Sequence, residues 1–112
     1  MIYHAHIYWR NEIERQSAIS IRSQLAELGC EVGRVWDIEI GPHTAPMYQA
    51  VYNSDIKDVV EQLISTNLKS PVLLHESILD DLRDHTENVR WLNETLNLKL
   101  EIFEARVNNN IT

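Results

Sequence analysis

Residues Tyr3 to Trp9 alternate strictly in character. Tyr3, Ala5, Ile7 and Trp9 form one row, and His4, His6 and Tyr8 form the other. Successive side chains of a strand point to opposite sides of a sheet, so the segment predicts a strand with one apolar face and one histidine-bearing face. Such a strand requires cover on its apolar side only.

The cover is encoded next. Ile13, Ala18, Ile21, Leu25 and Leu28 recur at helical spacing, predicting a helix from about Glu12 to Leu28 that Gly29 terminates. Val32 to Ile40 reads as a second strand, broken by Gly41-Pro42, and Met47 to Tyr52 as a third, so the two form a hairpin with His43 in its loop. Asn53 or Ser54 caps a second amphipathic helix over about 55–67, carrying Ile56, Val59, Val60, Leu63 and Ile64 on one stripe. After Pro71 comes a short apolar strand, Val72 to Leu74, ending on His75. The order β-α-β-β-α-β predicts an α+β fold with a ferredoxin-like antiparallel sheet and its helices on one face. A further helix over about 81–96, a short strand around 98–103 and a frayed tail from about 107 complete the expected single domain, 1–112.

Composition narrows the function. Seventeen acids against ten bases give a net charge of −7, and no basic stripe exists to follow a phosphate backbone, so nucleic acid is not an expected partner. No apolar run approaches the ~18 residues of a membrane span, and M-I-Y-H-A-H carries neither the basic nor the apolar region of a secretion signal. The lone Cys30 suits a reducing compartment as a buried small residue, so the expected setting is cytoplasmic. P-loop, dinucleotide glycine pattern, nucleophile elbow and paired-cysteine zinc motif are all missing from the sequence.

The histidines carry the remaining chemistry. His4 and His6, at i and i+2 on one strand, lie on one face with Cα atoms about 6.7 Å apart, near enough for both rings to reach one ion. His75 ends the strand expected beside the first, and its ring would complete an open three-imidazole metal site if the register allows. His43 sits in G-P-H-T-A-P between two stiffening prolines, as an aimed residue or as a polar turn residue. Ideal topology puts that loop at the far end of strand one from His75, so a shared site requires the loop to fold back or a second subunit to contribute. Asp84-His85 reads either as a braced proton relay or as a helix start, where Asp is favoured by the dipole. Trp9, Trp36 and Trp91 read as core, whereas Tyr8, Tyr48 and Tyr52 suit the edge of a pocket. Arg15, Arg22 and Arg90 are candidates for a substrate carboxylate, or for surface ion pairs.

Four ordered motifs, Y-H-A-H-I-Y, G-P-H-T-A-P-M-Y-Q, P-V-L-L-H and D-D-L-R-D-H-T-E-N-V-R-W-L, resemble the DOPA 4,5-dioxygenase family of small aromatic-ring-opening proteins over residues 3 to about 98. The resemblance implies a ferredoxin-like fold, a homodimer, and extradiol cleavage of a catechol by O2 with non-haem iron(II), zinc being a possible occupant of the isolated protein. On that reading His4, His6 and His75 are the metal ligands, His43 and His85 the acid–base residues, with His43 alternatively a ligand, and Tyr8, Tyr48 and Arg90 contact the substrate. The chain departs from the family pattern at Thr44 and Glu76, where proline is usual, and at Asn93, where W-L-G is usual. Glu76 brings a negative charge beside a proposed ligand. Two rival readings keep the fold without turnover: a metal- or aromatic-binding module, and a structural dimer assembled through the open sheet face.

Overall fold

The computed structural model describes residues 1–77 and 89–100. It is a small α+β protein built on a five-stranded antiparallel sheet, with strands β1 (Ile2–Tyr8), β2 (Glu31–Val32), β3 (Met47–Asn53), β4 (Val72–Glu76) and β5 (Val89–Leu92) in the order β2-β3-β1-β4-β5. The alternating segment that opens the chain is therefore the central strand.

Three helices, α1 (Glu12–Ser20), α2 (Arg22–Leu28) and α3 (Lys57–Asn67), cover one face. Ala18, Ile21, Leu25, Val60 and Ile64 pack there against Ala5, Ile7, Trp9, Ala50, Val72 and Leu74. Each large aliphatic side chain so buried contributes about 1.5–3 kcal/mol. Asn11 caps α1 by accepting from the Glu14 N–H, and Gly29 ends α2 at φ 109, a left-handed conformation that a side chain would strain. The expected single helix over 12–28 is interrupted at Ile21, which caps both pieces.

The opposite face holds a second, smaller core. Tyr8, Met47 and Leu73 are joined there by Ala45 and by the partly buried Trp36, Ile40, Val89, Trp91, Leu96 and Leu98. The expected strand over 32–40 shrinks to Glu31–Val32 plus a bridge between Trp36 and Met47. Val32 pairs with Ala50 and Trp36 with Met47, so three residues between the pairs on one side face two on the other; the surplus residue breaks the ladder as a bulge does. Beyond Trp36 the chain leaves the sheet and turns at Gly41 (φ 57), closed by the His43 N–H to the Ile40 carbonyl. The Lys99 N–H donates to the Pro42 carbonyl at 2.6 Å, tying the last described segment to this loop.

The helix expected over 81–96 is corrected where it can be seen: residues 89–92 form β5, antiparallel to β4, and 93–96 are not helical. Val89 and Trp91 face the second core while Arg90 and Leu92 face the helices, a two-residue alternation that a helix cannot satisfy. Residues 98–100 are not strand, and the rest of the expected 98–103 strand, like 81–88 with Asp84 and His85, lies outside the described residues. Asn53 does not cap α3, which begins at Lys57; its side chain instead accepts from the Asp55 N–H in the preceding turn. Among the described residues no helix is long and apolar enough to cross a membrane.

Candidate metal centre

Sheet register brings three of the histidines together. His4 pairs directly with His75 across β1 and β4, and His6 pairs with Leu73, so all three imidazoles project from the face away from the helices. The His6 and His75 Nε2 atoms are 3.0 Å apart, with their rings stacked at 5.1 Å, and the His4 ring is 5.0 Å from that of His75. One nitrogen from each of the three can be chosen so that all lie within 4.8 Å of one another. His6 and His75 are each 3% exposed, whereas His4 is half-buried.

The donor set fits a transition metal. Neutral imidazoles are ligands for iron and zinc alike. Two nitrogens bound about 2.1 Å from a shared ion and subtending a right angle would stand about 3.0 Å apart, the separation seen between His6 and His75. Without an ion the same spacing is a hydrogen bond from one Nε2–H to the other ring's lone pair, and binding a metal there requires both lone pairs, so that the proton must shift to the Nδ1 of its ring.

His43 joins the cluster from the loop. Its ring lies tilted at 37° to that of His6 with the centroids 4.5 Å apart, and its Nδ1 lies 2.6 Å from the Tyr8 hydroxyl. The loop does fold back, so no second subunit is needed to bring His43 beside β1. Tyr8 is fully buried, and burial pushes its hydroxyl well above the ordinary phenol range. Trp91 stacks on the Tyr8 ring at 5.8 Å. Alternation in V-R-W-L was the available signal for Trp91, and it is obscured when the segment is read as helix.

The remaining expected site residues are placed elsewhere, and His85 lies outside the described residues. Tyr48 is on the helix face, fully buried, donating to the Ala18 carbonyl at 2.5 Å beneath the Arg22 guanidinium. Burial is the main cause that raises its hydroxyl pKa. Arg90 also faces the helices and pairs with Glu61 of α3, whose other oxygen accepts from Tyr52. Arg15 pairs with Asp37, and Arg22 donates to the Gly33 carbonyl. Tyr48 and Arg90 are thus corrected from substrate contacts to parts of the scaffold: strand alternation turns both away from the histidines. The same alternation carries Glu76, the partner of Tyr3, to the helix side, so its charge does not join the three imidazoles.

Asn93 explains one departure. It takes φ 69, the left-handed conformation that glycine favours and asparagine tolerates, and its amide donates to the Leu68 and Ser70 carbonyls at 3.1 and 2.7 Å. Cavities of about 340 Å³ beside α3 and β5, and about 630 Å³ between α2 and α3, contain no histidine, and one of about 80 Å³ is lined by His75 with Tyr3, Lys57, Glu61, Glu76 and Arg90. Donor chemistry, not volume, locates the centre.

The profile of the Dopa 4,5-dioxygenase family matches residues 3–102. This chain belongs to that family. A crystal structure of a candidate dioxygenase from Nostoc punctiforme PCC 73102 superposes with a TM-score of 0.86 at 29% identity, covering 94% of this chain and 92% of that one. No curated protein matches the chain. Family and fold together assign this member of the Dopa 4,5-dioxygenase family to the dioxygenases, and three of the five motif histidines converge as metal ligands would.

Proposed function

We propose that this chain is an extradiol dioxygenase that opens a catechol ring with O2, holding iron(II) through His4, His6 and His75. The observation that carries the reading is the convergence of three neutral-imidazole donors on one sheet face in a member of this family. The βαββαβ core with strand order β2-β3-β1-β4 supports a ferredoxin-like description, to which β5 is an antiparallel addition. Family membership supports a homodimer, and the free, buried Cys30 a cytoplasmic setting.

When bound, ferrous iron would supply Lewis-acid activation of the catechol and the redox chemistry that O2 requires. The chain's own residues do the rest. Buried His6 and His75 hold their ligand atoms away from bulk water, while half-buried His4 marks the side from which a flat ring can approach. His43, against His6, is the acid–base residue facing the reacting atoms, and His85 is the second candidate for that role. Among the residues expected to touch substrate, Tyr8 alone shares this face, and it reaches the site through His43.

Anaerobically iron-loaded protein should consume O2 and form a yellow ring-fission product from dihydroxyphenylalanine or another catechol. Iron-loaded protein inert toward a broad catechol panel overturns the proposal. Tight catechol binding without oxygen uptake would instead identify a binding module.

A further inference from the structure

We propose that Tyr8 is a positioning residue that fixes His43 as its Nε2–H tautomer, so that His43 offers an N–H donor beside the histidine cluster and is not one of its ligands. The geometry is a buried relay. Trp91 stacks on Tyr8, the Tyr8 hydroxyl meets His43 Nδ1 at 2.6 Å, and the His43 ring stands against His6.

The direction of the Tyr8–His43 hydrogen bond follows from what each partner can do. A neutral phenol carries one proton, and in a fully buried position that proton needs an acceptor. Among the described residues the Tyr8 hydroxyl bonds to His43 Nδ1 at 2.6 Å. The hydroxyl therefore donates and Nδ1 accepts. A neutral imidazole with its lone pair used at Nδ1 bears its proton on Nε2 and has no second lone pair for a metal. This agrees with a ligand cluster of His4, His6 and His75 that does not include His43. A metal-bound histidine shows the reverse pattern, donating its second N–H outward.

The loop is built to keep the ring in place. The His43 N–H closes the turn onto Ile40, Lys99 holds the Pro42 carbonyl, and Ile40 packs in the same small core as Tyr8 and Trp91. Backbone and hydroxyl together leave His43 little freedom to exchange its two nitrogens. Resting on the dioxygenase reading, the Nε2–H then serves as the hydrogen-bond donor to the anionic oxygen of a bound catecholate.

Two-bond ¹H–¹⁵N correlation spectra of metal-free and zinc-loaded protein at about pH 8 read the tautomer directly. The expected result is a single Nε2–H form for His43 in both. Tyr8→Phe should release it, giving a mixture of tautomers, and should lower kcat about tenfold, less than the ~100-fold expected for removing such a donor outright, with catechol KM and zinc affinity within twofold of the parent. A proton found on Nδ1 in the parent, an unchanged tautomer in Tyr8→Phe, or a loss of zinc affinity in His43→Ala as large as in His6→Ala overturns the inference. If the parent protein is inert toward catechols, the dioxygenase reading fails by itself. The tautomer and zinc measurements still decide the role of Tyr8.

Discussion

His6 and His75 lie diagonally across adjacent strands with their Nε2 atoms 3.0 Å apart. Each ring is almost wholly buried, so the pair is held by strand register and leaves little room for either ring to swing away. A divalent metal should therefore bind the native protein and not the unfolded chain. At a free metal concentration one hundred times Kd, the linkage contributes about 2.7 kcal/mol, which for a chain of this size raises Tm on the order of 10 °C. Calorimetry with and without chelator measures it. His6→Ala and His75→Ala should abolish the shift, and an undiminished shift in either variant would remove that residue from the ligand set.

Tyr48 should prove structural. Its hydroxyl bonds the Ala18 carbonyl on the helix side of the sheet, so Tyr48→Phe leaves a buried carbonyl without this donor and costs about 1 kcal/mol. Urea unfolding measures that loss. Metal affinity and catechol KM should stay at the parent values, and a marked rise in KM would return Tyr48 to the substrate site.

Much of this arrangement is legible in the sequence because it depends on a period of two. The rows Tyr3-Ala5-Ile7-Trp9 and His4-His6-Tyr8 separate onto the two faces as alternation requires. The convergence of His75 on them needed only that β4 neighbour β1. Where the reading fails, something non-local decides. Val89 to Leu92 fits a strand or a helix until the free edge of β4 selects the strand. The return of His43 to His6 depends on a surplus residue in the β2–β3 hairpin and on the Lys99–Pro42 hydrogen bond, neither of which has a periodic signature. Tyr48 and Arg90 follow a simpler rule. Their chemistry suited a pocket, but their parity put them on the other face.

Asn93 should be replaceable by glycine and not by alanine. Both variants lose the amide that holds the Leu68 and Ser70 carbonyls, but glycine accepts φ 69 without strain. Alanine adds a left-handed backbone penalty of about 1–2 kcal/mol. Chemical denaturation should place Asn93→Ala below Asn93→Gly by roughly that amount. Equal stabilities would show that the backbone at this position relaxes out of the left-handed region.

Arg10 and Glu14 give the fold an acid-sensitive contact at the start of α1. The Glu14 carboxylate accepts from the Arg10 guanidinium at 2.7 and 3.1 Å and from the Arg10 backbone N–H at 2.9 Å. The guanidinium hydrogen bond holds its pKa below the ordinary glutamate value. A depressed carboxyl pKa means that the unfolded chain binds the proton more readily than the native one, so stability falls as pH falls. The contribution of Glu14 is fully present above about pH 4.3, the ordinary glutamate value, and disappears as pH drops through the lower native one. Glu14→Gln should therefore have a lower urea midpoint than the parent at about pH 7, and the gap should close toward about pH 3. Because the Arg10 side chain is 41% exposed, added salt should narrow the gap at neutral pH as well. A gap that stays constant across that pH range would show that Glu14 acts through its shape in the first turn, and not through its charge.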